Sequence, residues 1–187
     1  MPRAGLTPDA VVDAAIAVVD AGGPGALTLA AVAGRAGVAT PSLYKHVRNL
    51  AELRQLVTAR ILDELADRLG TAAMGRSKDD AVAAMMRAYR GYVVEHPSRY
   101  GSLEQSAEGA GSAGAAAERV LGVIYAVLRG YGLDGPDLVH ATRCLRSAVH
   151  GFAVLEAAGG FGLPEDLEAS YERLITLFTS GFSQPRV

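Results

Sequence analysis

Apolar residues along this chain recur at intervals of three and four instead of alternating, a spacing that predicts helices throughout. Val11, Ala15, Val18 and Val19 form one face of a first helix. Thr7-Pro8-Asp9 supplies its start, with a hydroxyl cap, a proline at the first helical position and an acid near the positive end of the helix dipole. Gly22-Gly23-Pro24-Gly25 ends it. A short helix then runs from a Thr28 cap through Leu29, Val32 and Ala33 and stops at Arg35-Ala36-Gly37, where glycine permits a tight turn. Thr40-Pro41-Ser42 repeats the cap-plus-proline pattern at once and opens a second short helix carrying Leu43, Tyr44, Lys45 and His46.

Further along, Asn49 followed by Glu52 reads as a capping box for a long helix with Leu53, Leu56, Val57, Ile61 and Leu65 on its apolar side. Gly70 to Ser77 interrupts that helix. Ser77 begins another, holding Val82, Met85, Met86, Tyr89, Tyr92 and Val93, which Pro97 ends. A short helix over Arg99 to Gln105, a flexible loop over Glu108 to Gly114, and helices over Ala115 to Tyr131, Asp137 to Ala158 and Pro164 to about Phe182 complete an all-α chain. The expected division is a reading head over 1–48, a connecting helix and linker over 49–76, and a helical body over 77–187.

Composition agrees and narrows the chemistry. Half of the residues are hydrophobic, many of them Ala, Leu and Val, and aromatic residues make up only 6% with no Trp. That balance favours helices over strands. A net charge of −2 excludes indiscriminate coating of nucleic acid, which depends on many phosphate contacts, so any DNA contact must be local. Cys144 is the one cysteine, and no intramolecular disulfide can form. Neither a signal-peptide pattern after Met1 to Leu6 nor an uncharged stretch of spanning length is present, so a soluble, cytoplasmic protein with no membrane partner is expected.

The order of parts carries the functional signal. A capped short helix, a Gly37 turn and a second capped helix beside a longer first helix make a helix-turn-helix, whose second short helix enters the major groove N-terminus first. Thr28, Thr40, Pro41, Ser42, Tyr44, Lys45, His46 and Arg48 form the candidate DNA-binding set. Hydroxyls and helix N-terminal amides suit phosphate, Lys45 can donate to guanine, Ser42 can reach several base edges, and Arg48 can hold phosphate. Leu43 and Val47 are expected to face the core. Tyr44 and His46 also admit packing beside the first helix, and Lys45 admits the role of a solvated charge. Four basic residues through Asn49, counted from Arg3, are opposed by Asp9, Asp13 and Asp20, so one head should bind weakly alone.

Leu29-Ala30-Ala31-Val32-Ala33, Ala36-Gly37-Val38 and Pro41-Ser42-Leu43-Tyr44-Lys45-His46-Val47 together resemble the N-terminal domain of the tetracycline-repressor (TetR) family, to about Leu65. Leu145 to Phe152, followed by Leu155-Glu156 and Gly160-Phe161, is similar to a C-terminal domain type of that family with a Trp-His-Gly signature. Arg146 stands where that signature has Trp, and Leu50 where many relatives carry a basic residue, with Arg48 and Arg54 nearby. The resemblance implies an all-helical dimer with an effector pocket in each body, and usually repression.

Within the body, Met85, Met86, Tyr89, Tyr92, Tyr100, Tyr125, Cys144 and Phe152 are candidates for lining a pocket that takes an apolar ligand with a few polar anchors. Ordinary core is the competing reading. Small residues Ala141, Ala148 and Gly151, with Leu155, permit close helix approach, and Tyr171, Leu174 and Phe178 on the final helix complete a candidate dimer interface. A monomeric bundle with both stripes internal competes with it. His140, Cys144 and His150 share one helix, but nothing completes a metal-ligand set, and neither metal nor cofactor is expected.

These readings converge on a ligand-responsive repressor that binds a palindromic operator as a homodimer, its recognition helices about 34 to 36 Å apart or slightly more. A small-molecule effector would release it by favouring one state of the long Asn49 helix. A helical ligand carrier or adaptor without specific DNA binding is the alternative. An enzyme would have only His150, Glu156 or Cys144 to draw on, and these assemble no nucleophile, base and orienting group at recognisable spacing.

Overall fold

The computed structural model describes residues 6–104 and 112–183. Among these residues it contains nine α-helices, one 3-10 turn and no strand. Arg3, Gln105 and the first part of the expected loop from Glu108 lie outside the described residues. The chain divides into two compact units, Met1–Glu64 with Ser98–Glu118, and Leu65–Pro97 with Arg119–Val187. The division therefore falls within the long connecting helix, where the sequence pattern suggests boundaries at 48 and 76, and it assigns 98–118 to the first unit.

In the first unit, α1 (Pro8–Gly22) packs against α2 (Leu29–Ala36) through Val11, Ala15, Val19 and Val32, all with 0% exposure. Local bonds set both starts. Thr7 Oγ1 accepts from the Ala10 N–H and Thr28 Oγ1 from the Ala31 N–H, each at 3.1 Å. Gly37, at φ 68°, closes α2: the Val38 N–H donates to the Ala33 carbonyl at 3.0 Å and the Gly37 N–H to the Gly34 carbonyl at 3.2 Å.

Next, α3 (Thr40–Leu43) begins one residue earlier than the cap-plus-proline pattern implies. Ala39 is the N-cap, without a side-chain bond, and Thr40 is already helical. Only one helical turn is regular. Tyr44 keeps helical angles, and the N–H groups of His46 and Val47 both donate to the Leu43 carbonyl, so the turn tightens before it ends. The long helix α4 (Leu50–Ala73) starts as expected: Asn49 Oδ1 accepts from the Glu52 N–H at 2.9 Å. The reciprocal bond differs from a standard capping box, because the Glu52 carboxylate accepts from Arg48 N–H instead of Asn49 N–H.

Three departures from the sequence reading concern two glycines and an aspartate. Gly70 does not end α4; a side chain there would meet Val123 at 3.8 Å, and the helix stops only near Gly75, at φ 71°. Gly114, expected in a loop, lies within α7 (Ser112–Arg129). The last helix, α9 (Leu167–Ser183), starts after Pro164 because Asp166 Oδ1 accepts from the Glu168 N–H at 2.9 Å.

In the second unit, α5 (Lys78–Glu95) is the hub, packing on α8 (Gly135–Ala157) and on α9. α6 (Pro97–Glu104) follows α5 and contributes most of its residues to the first unit. Val82, Met86, Leu128, Leu145, Val149 and Ile175 fill the second core. Tyr171 belongs with them. Expected at a dimer contact, it has 0% exposure and its hydroxyl donates to the Met86 carbonyl at 2.6 Å. Burial pushes that hydroxyl's pKa well above the ordinary value. The α9 stripe is rotated so that Tyr171 and Ile175 point inward, four residues apart, while Leu174 and Phe178 are half-buried.

Arg90 closes this core with charge. Its guanidinium pairs with Glu156 at 2.6 Å and Glu168 at 2.6 Å, and lies 4.7 Å from the centroid of the Tyr171 ring and 5.6 Å from that of Phe152. The hydrogen bond to Glu156 leads the effects that raise the Arg90 pKa further above its ordinary value. Removing Arg90 would leave the poorly solvated Glu156 carboxylate without its partner, which makes this pair costly to break. Glu156, a residue an enzyme could have used, is thereby committed to structure.

Candidate DNA-reading surface and effector cavity

The recognition segment separates into two faces. Leu43 and Val47 are buried at 0% and 3% exposure and anchor it to the first unit's core. Pro41, Tyr44 and Lys45 of the α3 turn and Arg48 in the segment that follows it are all exposed. Tyr44 is 56% exposed, so packing beside α1 does not account for it. Thr40, Ser42 and His46 are half-buried at the edges of that face, and Thr28 is exposed at the start of α2.

Charge is arranged differently around this face from what counting residues implies. Arg60 of α4 binds Asp9 at 2.9 Å and Asp13 at 2.7 Å, and Arg99 of α6 binds Asp20 at 2.7 Å and Glu64 at 3.1 Å. The three acids that seemed to oppose the basic head are thus each met by an arginine from beyond it. Arg48 is itself engaged, 3.2 Å from Glu52, and its backbone and side-chain bonds hold the Glu52 carboxyl below the usual carboxylate range. Lys45 makes no such pair among the described residues, and neither do Arg35 and Arg54, both exposed. Arg35 at the end of α2 is a basic neighbour of the turn that the sequence pattern did not single out.

The second unit holds a small cavity of about 20 Å³, the room of one water molecule. Leu69, Met85, Met86, Tyr89, Ile124, Leu145, Arg146 and Val149 line it. Met85, Met86 and Tyr89 of the ligand-pocket candidates are therefore brought together, and the other five are not among the lining residues. Tyr92 is buried with its ring 5.2 Å from His96, and Tyr100 lies in the first unit. Tyr125 sits near Arg129, 5.9 Å from ring to guanidinium, and Cys144 is exposed. Phe152 belongs to an aromatic cluster, 4.8 Å from Phe161 and 4.9 Å from Tyr171. Heptad-like spacing identified an apolar helix side, but only helix packing separates cavity lining from solid core.

Among the dimer candidates apart from Tyr171, Ala141, Ala148, Gly151, Leu174 and Phe178 are half-buried and Leu155 is 49% exposed. Leu177, which the pattern did not single out, is 70% exposed. Among the described residues no group of three or more His, Cys, Asp or Glu could hold a metal ion, and no helix is long and apolar enough to cross a membrane.

Comparison with known proteins identifies both parts. Residues 11–55 match the family described as bacterial regulatory proteins, tetR family, and residues 82–178 match a tetracyclin repressor-like C-terminal domain. The HTH-type transcriptional regulator Rv0681 of Mycobacterium tuberculosis is 38% identical over 161 residues, covering 82% of this chain and 72% of its own length. The chain belongs to the TetR family of transcriptional regulators. YobS of Bacillus subtilis, another HTH-type transcriptional regulator, is 32% identical over 182 residues, covering 96% of this chain and 94% of its own.

Solved TetR-like structures share the fold. A Rhodococcus sp. RHA1 protein of unknown function superposes with a TM-score of 0.82 at 20% identity, covering 97% of this chain and 98% of that one. BioQ, solved with its double-stranded DNA operator, gives 0.72 at 21% identity, covering 96% and 99%. A TetR variant of Acinetobacter baumannii AYE, solved with minocycline, gives 0.71 at 18% identity, covering 95% and 96%.

Proposed function

We propose that this TetR-family regulator is a repressor that binds a palindromic operator as a homodimer and leaves it when a small molecule occupies the second unit. The observation that carries the DNA-reading part is the exposed stripe Pro41, Tyr44, Lys45 and Arg48 beside buried Leu43 and Val47. A polar and aromatic face held rigidly on a core is what base and phosphate contact require. The stripe carries two basic residues, so two copies are needed for useful affinity, and two-fold repetition of the operator follows from two-fold symmetry of the protein. The half-buried Leu174 and Phe178 and the exposed Leu155 and Leu177 supply apolar surface for the dimer contact.

Coupling runs along α4. It begins directly after the recognition segment, is uninterrupted from Leu50 to Ala73, and places Leu69 in the lining of the cavity. A ligand that binds one α4 position better than another shifts the population of DNA-competent dimers, and does so by no more than that difference in affinity.

Selection of bound DNA from a random pool tests the reading, followed by a small-molecule screen for release of the selected site. Sites with two-fold symmetry and a steep salt dependence are expected. Binding without symmetry, or no specific complex with the protein's own upstream DNA, would overturn it and favour a ligand carrier. Inserting Gly-Gly near Leu56 should leave DNA binding measurable and remove release; release that survives the insertion refutes coupling through α4.

A further inference from the structure

Asp9, Asp13 and Asp20 recur along α1 at spacings that put all three on one side of the helix. Two arginines from other helices grip that side. Arg60 of α4 reaches Asp9 at 2.9 Å and Asp13 at 2.7 Å, near the start of α1. Near its end, Arg99 of α6 lays a planar fork on Asp20, with Nε on one carboxylate oxygen and Nη2 on the other, both at 2.7 Å. The remaining nitrogen, Nη1, reaches Glu64 of α4 at 3.1 Å. Glu64 lies one helical turn after Arg60, so these contacts join α1, α4 and α6 in one connected ladder within the first unit.

The two ends of the ladder differ in strength. The Asp9 side chain is 85% exposed, whereas that of Arg99 is 21% exposed and that of Glu64 33%. Solvated ion pairs hold little, and a shielded bidentate pair holds more. α6 is also packed in place: Tyr100 is buried, and a side chain at Gly101 would meet Pro24, just past the end of α1, at 3.7 Å. A helix that arrives from 79 positions along the chain thus braces the end of α1 against α4. α2 packs on α1, and α3 packs on α2. The direction in which α3 points therefore depends on how α1 is held.

We infer that Arg99 is a positioning residue for DNA reading: by holding Asp20 and Glu64 together it fixes the tilt of α1 on α4, and through α1 and α2 the angle at which α3 meets the groove. Its nitrogens are occupied by carboxylates, so it acts through α1 and makes no phosphate contact. A head released from the brace spends part of its time in other orientations, and the apparent affinity falls with the fraction still oriented. The inference rests on the reading of a two-fold operator, and the test separates the two.

The full-length protein and its Arg99→Gln, Arg99→Lys and Asp20→Asn variants are titrated with three duplexes: the operator selected from the random pool, the same operator with one extra base pair between its half-sites, and an unrelated sequence of equal length. Arg99→Gln should weaken the selected operator about tenfold, the size of a charge-assisted pair, and leave the unrelated duplex unchanged. Its preference for the selected half-site spacing should shrink, while the salt slope stays at the wild-type value because no phosphate contact is lost. Asp20→Asn should behave alike, and the double variant no worse than either alone. Arg99→Lys, which keeps the charge but not the fork, should restore part of the loss. Asp20 is more exposed than Arg99, so Asp20→Asn serves if Arg99→Gln does not fold.

Wild-type affinity and spacing preference in Arg99→Gln, whatever its unfolding midpoint, would overturn the positioning role and leave the operator reading intact. A salt slope reduced by about 1 would overturn it by placing Arg99 on a phosphate. Equal weakening of the selected and unrelated duplexes would overturn it as a loss of folded protein alone. A wild-type protein indifferent to half-site spacing would overturn the two-fold operator and the positioning role together.

Discussion

Replacing Tyr171 with phenylalanine removes one hydroxyl and leaves the ring in place between Arg90 and Phe152. The hydroxyl donates to the Met86 carbonyl at 2.6 Å inside a site with 0% exposure. Met86 lies within α5, where its carbonyl also accepts the helical backbone bond, so no buried group is orphaned by the change. The loss should therefore be that of one net hydrogen bond, about 1 kcal/mol. Tyr171→Ala removes the ring as well and should cost about 3 to 5 kcal/mol, a large part of the roughly 5 to 15 kcal/mol that holds a domain folded.

Urea unfolding followed by circular dichroism, run at two protein concentrations, measures both quantities. If Tyr171 is core, the phenylalanine variant has a lower midpoint, and that midpoint depends on concentration as in wild type. A variant with an unchanged midpoint that dissociates at concentrations where wild type stays associated would refute this placement and return Tyr171 to the subunit contact.

Four further outcomes follow from the same geometry. Lys45→Ala should weaken binding to the selected operator by about 1 to 3 kcal/mol and relax preference at one base position; a loss uniform across sequences in an electrophoretic binding series would assign Lys45 to phosphate. Arg48→Ala should reduce the salt slope of binding by about 1, while Glu52→Gln, which frees Arg48 from its 3.2 Å ion pair, should tighten binding at low salt. Thr142→Val should raise the unfolding free energy by about 1 kcal/mol, since it deletes a buried hydroxyl that has no partner, and a comparable fall would show that the hydroxyl is satisfied. The hydrogen bond from Arg87 holds the Glu172 carboxyl below its ordinary pKa, so its contribution to stability is present above the unfolded carboxylate range and fades as pH falls through it toward the folded value. Unfolding midpoints compared at neutral and acidic pH should show a smaller acid loss in Glu172→Gln than in wild type.

What was readable from the chain alone is what depends on bonds between near neighbours. The Thr7 and Thr28 caps, the Gly37 turn and the Asn49 start each involve groups within four residues, so residue type and spacing specify them. The inward facing of Leu43 and Val47 after the Gly37 turn was readable for the same reason. Local pattern also set the errors. Thr40 carries the chemistry of a cap, but the backbone makes Ala39 the cap. Gly70 resembles a stop signal and is retained inside α4.

Other features needed the fold. The Arg60–Asp13, Arg90–Glu156 and Arg99–Asp20 bonds join residues 47, 66 and 79 positions apart, and no periodicity links such partners. Tyr171 and Phe178 lie on the same apolar stripe of one helix, yet a rotation about its axis buries one fully and leaves the other half-buried. Spacing determines which residues share a side of a helix, whereas packing determines which way that side turns. The sequence by itself therefore determined a helical TetR-type regulator and the caps and turn of its helix-turn-helix. The tertiary structure alone decided that Met85, Met86 and Tyr89 line a cavity with Arg146 at its edge, because a cavity is a property of where several helices fail to touch.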